Sequence, residues 1–175
     1  MSIHDAIKEC VDGGELVRLQ PLLPGDSVAR PVLVSHDVLR LVERRDGLPI
    51  DLVRKSASAR SMLDSFQRGD RVTVGMDPHN KPGYCMLART DPTKMCIWQF
   101  RILDPKPHVR IFGAFAEQDV FVALAYYAKP RLNFLGSYRK VTKNAREIWT
   151  TLFGDCEPCA GDNVDEYLSE NYILV

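Results

Sequence analysis

The segment VFVALAYY, residues 120–127, is apolar at every position, so any strand it forms is apolar on both faces. A half-buried strand alternates apolar and polar side chains, and a run without alternation predicts a central strand covered on both sides. Two further extended segments lie just upstream. In Met95 to Leu103, one face carries Cys96, Trp98, Phe100 and Ile102, and the other carries Ile97, Gln99, Arg101 and Leu103. Period-two alternation makes the first face dry and the second mixed. Val109 to Phe115 follows Asp104-Pro105-Lys106-Pro107, and Ala116-Glu117-Gln118-Asp119 separates it from the central run. Both connections suit hairpins. Downstream, Ala145, Ile148, Trp149, Leu152 and Phe153 repeat at helical spacing, with Thr142 as candidate N-cap and Gly154 as the stop. The stretch from Met95 to Phe153 is therefore expected to form three antiparallel strands and an amphipathic helix.

The remainder surrounds this centre. Ile3 to Val11 has helical periodicity between Ser2, a candidate N-cap, and Gly13-Gly14. Glu15 to Leu23 reads as a strand, Ser35 as the cap of a helix through Arg45 that closes near Gly47, and Ala59 to Gln67 as a third helix ended by Gly69. From Asp70 the pattern becomes extended: Arg71 to Met76 and Tyr84 to Arg89 flank a loop, residues 77–83, that is dense in turn formers. A helical turn around Val164 to Ser169 leads to the apolar tail NYILV, suited to a docked terminus or an added strand. The expected fold class is α+β, an antiparallel twisted sheet packed against N-terminal helices and a C-terminal amphipathic helix, in one domain over residues 1–175.

Composition removes whole classes of function. With 175 residues, 45% of them apolar and 26% charged, the chain can bury a core and is not of disordered composition. No window approaches eighteen uninterrupted apolar residues, and MSIHDAIKEC lacks the basic lead and apolar stretch of a signal peptide, so a cytoplasmic protein without a membrane partner is expected. Five cysteines, an odd number spread along the chain, fit reduced thiols better than a disulfide framework. Cys156-Glu157-Pro158-Cys159 has the spacing of half a tetrahedral zinc site or of a redox pair. The histidines, at 4, 36, 79 and 108, lie far upstream without a matching pair, and no metal or other cofactor is expected. A P-loop, a glycine-rich dinucleotide turn, a Gly-x-Ser-x-Gly elbow and a His-Glu-x-x-His pair are all missing. The formal net charge is zero, so a site for a polyanion has to be a local patch.

Basic residues do concentrate at the ends of the three strands: Arg101, Lys106, His108 and Arg110, then Lys129, Arg131, Arg139, Lys140 and Lys143. Guanidinium and ammonium groups beside an imidazole suit phosphate, because arginine offers a planar pair of donors and lysine a point charge. Such groups would stabilise the charge that builds on phosphorus when a ribose 2′-hydroxyl attacks. His108 titrates near neutrality, and Tyr138 could donate a proton or stack on a base. The same residues also compose an ordinary solvated basic surface, and both alternatives stay open at this level.

The run IWQFRILDPKPHVRIFGAFAEQDVFVALAYYAKPRL resembles the central sheet of the RelE/ParE/HigB-like toxin superfamily. Trp98 to Arg101 corresponds to a "W-E-x-R" strand, Val109-Arg110-Ile111-Phe112 to a "Y-R-hydrophobic" strand, and Val120 to Lys129 to a third strand ending in a basic residue. The helix containing Ala145 follows. The chain departs from the family pattern at Gln99, where an acidic residue often stands, and at Pro130, which interrupts a basic pair. The resemblance implies a RelE-like core over residues 59–175 with a C-terminal tail, and leaves residues 1–58 as an N-terminal extension of unclear role. It implies a type II toxin that cuts mRNA on the ribosome without a metal, with an antitoxin as partner. Carried over by position, Arg110 would stabilise the phosphate, Arg101 would assist, and Lys129 or Arg131 would supply the basic site after the third strand. His108 or Tyr138 would transfer protons, while Lys106, Arg139, Lys140 and Lys143 would contact RNA. A second possibility is a non-enzymatic protein-binding module on the same fold, ParE-like and directed at gyrase, or an interaction subunit. A third is a single-strand binder that stacks bases on Trp98, Tyr126 or Tyr138.

Overall fold

The computed structural model describes residues 2–43, 50–104, 106, 108–129, 132 and 138–175. Helix α1 (Ile3–Asp12) opens with a reciprocal capping box between Ser2 and Asp5, which satisfies backbone donors that the first turn leaves free. Strands β1 (Leu16–Arg18) and β2 (Val32–Ser35) follow, then α2 (His36–Val42), capped by the Ser35 hydroxyl, and α3 (Ile50–Gln67). Next come β3 (Val72–Gly75), β4 (Leu87–Arg89), β5 (Trp98–Ile102), β6 (Val109–Glu117) and β7 (Val120–Ala128). Helix α4 (Tyr138–Phe153) and strand β8 (Tyr172–Leu174) complete the chain.

The fold is α+β, built on an eight-stranded sheet in the order β1-β2-β7-β6-β5-β4-β3-β8. The neighbours β4 to β7 are antiparallel, but β2 runs parallel to β7, and β3 runs parallel to both β4 and β8. The sheet is therefore mixed, which corrects the wholly antiparallel expectation. The antiparallel run from β4 to β7 is consecutive in the chain, β1 and β2 add a further antiparallel pair, and two of the parallel pairs, β2 with β7 and β3 with β8, join segments distant in sequence.

Both faces are covered. Phe121 and Ala123 of β7 pack with Trp98, Phe100, Phe115 and the stripe Leu63 and Phe66 of α3. Val122 and Leu124 point the other way, onto Phe112, Ala145, Trp149 and Phe153 together with Ala6 and Ile7 of α1. The two-sided apolar run of β7 thus occupies a central place between helical layers. On α4, Trp149 and Phe153 are buried, while Ile148 and Leu152 are half-buried at the edge of the stripe. Full burial of such side chains stabilises by about 1.5–3 kcal/mol each.

Several boundaries differ from the sequence expectation. Helix α4 starts at Tyr138, and Thr142 is a fully buried residue within it rather than its cap. Helix α3 begins nine residues or so before Ala59, because propensity alone does not locate a helix start when packing extends it. The expected α2 end at Arg45 and Gly47 lies outside the described residues. Strand β2 went unanticipated, since Val32-Leu33-Val34 after Pro31 is too short to show a period. The tail forms β8 on the outer edge of β3. No helix among the described residues is long and apolar enough to cross a membrane.

Candidate active site

Strand alternation sets the site. Gln99 and Arg101 of β5 share one face of the sheet, and in register Gln99 faces Phe112 while Arg101 faces Arg110 of β6. Phe112 packs into the layer under α4, so Gln99 and Arg101 of β5 and Arg110 of β6 lie on that same side, toward the N-terminal end of the helix. There a cleft of about 630 Å³ opens, lined by Pro78, His79 and Lys81 from the 77–83 loop, Thr90 and Asp91 after β4, Gln99 and Arg101, Arg110, Lys129 at the end of β7, and Tyr138 and Arg139 in the first turn of α4.

Five basic side chains, Lys81, Arg101, Arg110, Lys129 and Arg139, face one lining carboxylate, Asp91. Asp91 is engaged with Arg139 at 3.2 Å and His79 at 3.7 Å. Among the described residues, no carboxylate pairs with Lys81, Arg101, Arg110 or Lys129. Arg101 is held by neutral acceptors, its Nη1 donating to the carbonyls of Pro82 (2.9 Å) and Cys85 (3.1 Å), which pins the 77–83 loop to the strand. Lys81 donates to the Pro78 carbonyl. A neutral chain thus concentrates positive charge in one concavity, and the first turn of α4 adds the positive end of its dipole.

Arg110 is the most enclosed of these groups, with 3% of its surface exposed. Its Nη1 donates to the Val109 carbonyl at 3.1 Å, and its Nε has no partner among the described residues. Burial, and then the charge of Arg101, weaken its hold on its proton, while the Tyr138 phenol opposes them by charge interaction and hydrogen bonding. The Lys81 ammonium is likewise pushed below the ordinary lysine value, first by desolvation and then by Arg101 and Arg110. A desolvated lysine beside two guanidiniums moves toward its neutral, proton-accepting form. An anion bound here would meet donors already oriented and only partly hydrated.

Of the residues singled out from the sequence, Arg101, Arg110, Lys129, Tyr138 and Arg139 come together in this cleft. His108 lies outside its lining, on the turn before β6, where its carbonyl accepts the Lys129 N–H at 2.7 Å. Its imidazole is pushed below the ordinary value by desolvation and then by the cations Arg110, Lys129, Lys55 and Lys106. Lys106, Lys140 and Lys143 are exposed and do not line the cleft, and Lys143 pairs with Glu147 at 3.6 Å. Arg131 lies outside the described residues. Trp98 is fully buried against Phe115 and Tyr167, which removes it as a base-stacking platform.

His79, Lys81, Thr90, Asp91 and Gln99 are cleft residues that the sequence did not single out. Gln99 had a signal, its place two residues before Arg101 on the mixed face of the strand. The loop residues had none, because their position depends on the parallel pairing of β3 with β4. No group of three or more His, Cys, Asp or Glu able to hold a metal ion occurs among the described residues, Cys156 and Cys159 included. Comparison of the chain with protein-family models, with curated proteins and with solved structures finds no match.

Proposed function

We propose that the protein is a type II toxin-like, metal-independent, ribosome-dependent mRNA endoribonuclease with a RelE-like core. One observation carries this reading: Arg101 and Arg110, opposite each other on β5 and β6, line a cleft with Lys81, Lys129 and Tyr138 and lack carboxylate partners among the described residues. The succession of three antiparallel strands and a helix, β5, β6, β7 and α4, follows the order that the resemblance implies.

In this reading the two arginines hold the non-bridging oxygens of the scissile phosphate and offset the charge that develops on them. The ribose 2′-oxygen attacks phosphorus, and the bond from phosphorus to the 5′-oxygen breaks, leaving a 2′,3′-cyclic phosphate and a 5′-hydroxyl. Lys81, which burial and its cationic neighbours drive toward the neutral amine, takes the 2′-hydroxyl proton, and Tyr138 protonates the departing 5′-oxygen. Lys129 and Arg139 hold the flanking phosphates. The ribosome presents the mRNA, and an antitoxin covers the cleft when the activity is held in check.

The test is mRNA mapping in a reconstituted translation reaction. Cut transcripts with 5′-hydroxyl ends are expected, with cleavage falling at least 100-fold for Arg110→Ala, a loss typical of one preorganised donor. Intact mRNA with the wild-type protein, together with growth arrest that Arg110→Ala does not relieve, would overturn the proposal. A protein-binding role on the same fold has one observation in its favour, the exposed Ile173 and Leu174 on edge strand β8. Copurification with a protein partner in the absence of salt-sensitive RNA binding would select it.

A further inference from the structure

Gln99 is an anomaly for a residue in the middle of a sheet. It has 4% of its surface exposed, it lines the cleft, and its Oε1 has no hydrogen-bond partner among the described residues. Its cross-strand neighbours are Ala88 on one side and Phe112 on the other, so neither residue directly opposite offers its Oε1 a side-chain donor. The buried Gln67 shares an unpartnered Oε1 among the described residues, but its Nε2 is anchored on the Leu19 carbonyl at 2.6 Å and it does not line the cleft. A buried acceptor without a donor destabilises the folded state, and an apolar side chain of similar size would suit these neighbours better. Folding alone therefore does not explain a glutamine here.

A ligand would. Arg101 projects from the same face of β5 two residues on, roughly 7 Å along the strand, and Arg110 lies across from it with an unpartnered Nε. A molecule that satisfies both features carries an anion for the arginines and, a few ångströms away, a hydrogen-bond donor for Gln99. In a nucleic-acid strand the ribose 2′-hydroxyl is a donor of that kind, adjacent to the 3′-phosphate. Deoxyribose has none.

We propose that Gln99 is the specificity-determining residue of this cleft, accepting a hydrogen bond from the ribose 2′-hydroxyl next to the phosphate held by Arg101 and Arg110, and so selecting RNA over DNA. The inference rests on the RNA reading given above and adds the residue that recognises the sugar.

The experiment measures binding of the full chain to fluorescent single strands of one base sequence made as RNA, as 2′-fluoro RNA and as DNA. The 2′-fluoro strand keeps a ribose-like sugar pucker without the donor. Wild-type protein should bind RNA about five- to tenfold more tightly than either of the other two, the value of one neutral hydrogen bond. Gln99→Leu should bind all three alike, at the affinity that the wild type shows for DNA, and should melt at the same temperature or higher because it loses a buried unsatisfied acceptor. Gln99→Met, also apolar and unbranched, repeats the comparison should the leucine variant pack poorly. Equal wild-type binding of the three strands overturns the proposal, as does an RNA preference that survives in both variants. Either result leaves the phosphate-binding cleft standing as long as binding weakens with salt. If none of the strands binds, this inference falls, while the ribosome-dependent reading is decided by the cleavage assay in the translation reaction.

Discussion

Arg101 and Arg110 stand directly opposite each other in the antiparallel register of β5 and β6. Like charges in that position repel and destabilise a sheet. Two loop carbonyls hold the first guanidinium, and Tyr138 together with the Val109 carbonyl engages the second. These partners fix geometry without cancelling charge, so the pair costs stability in the empty protein and favours an anion that bridges it.

The first consequence is a trade between stability and activity at Arg110. Replacing a buried charge by an apolar side chain of similar length is often neutral or stabilising. Arg110→Met is expected to leave the melting temperature unchanged or raise it by about 2–4 °C, while mRNA cleavage falls at least 100-fold. Calorimetry beside the cleavage assay checks this, and a melting temperature more than about 4 °C below wild type would show that Arg110 is there for the fold.

Lys81 supplies a pH dependence whose sign follows from its environment. Desolvation, followed by Arg101 and Arg110, lowers its folded-state value below the ordinary lysine value of roughly 10.4. Between those two values the unfolded chain binds more protons than the folded one, so stability rises with pH across that window. Below the folded-state value the ammonium is charged in both states and its cost is constant. Lys81→Met lacks the cost at every pH, so its urea midpoint should exceed that of wild type at neutral pH, with the gap narrowing as pH rises. A gap that stays constant up to pH 10 or so would show that Lys81 titrates normally.

Much of this arrangement was legible in the sequence, for identifiable reasons. The two-sided apolar run of β7, the dry face of Trp98, Phe100 and Ile102, and the stripe on α4 are periodic signals, and each element lies where its period places it. The same alternation that buries Trp98 puts Gln99 and Arg101 on the opposite face, which is why the arginines of neighbouring strands meet. His79 and Lys81 could not be read, because their approach to Arg101 depends on a loop between the parallel strands β3 and β4 that carries no period of its own, and Asp91 lies in the equally aperiodic connection from β4 to β5. The parallel joining of β2 to β7 was equally hidden, since four residues around Val34 set no register without their partner.

Gly113 marks where β6 accommodates the central strand. A β-carbon there would sit 2.1 Å from the Val122 carbonyl oxygen and 2.7 Å from the Phe121 ring, at a shift in the β6–β7 register between Phe112 and Gly113. The obstruction is backbone, which cannot turn aside as a flexible side chain would. Gly113→Ala is expected to destabilise by about 3 kcal/mol, read as a lower urea midpoint. A loss under about 1 kcal/mol would mean that the bulge relaxes freely.

Arg30 ties the end of the chain to the sheet. It is buried, with its guanidinium against the Phe66 ring at 5.1 Å, and it donates to the carbonyls of Asp70 (2.9 Å) and Glu170 and lies 3.7 Å from the Asp119 carboxylate. Asp119 in turn accepts the Ser169 N–H at 3.1 Å, so one ion pair clasps both the β6–β7 turn and the residues leading into β8. Removing one partner of a buried pair leaves the other charge uncompensated, and two carbonyls here would also lose their donor. Arg30→Met should therefore destabilise by about 3 kcal/mol. The effect should also be local: the amides of Tyr172–Leu174, which join the sheet only through β3, should exchange with solvent faster than those of β6, by a larger factor than global destabilisation produces. Hydrogen exchange followed residue by residue distinguishes the two. Uniform acceleration over β6 and β8 would show that Arg30 supports the core as a whole, whereas selective loss at β8 identifies it as the clasp that seats the C-terminal strand.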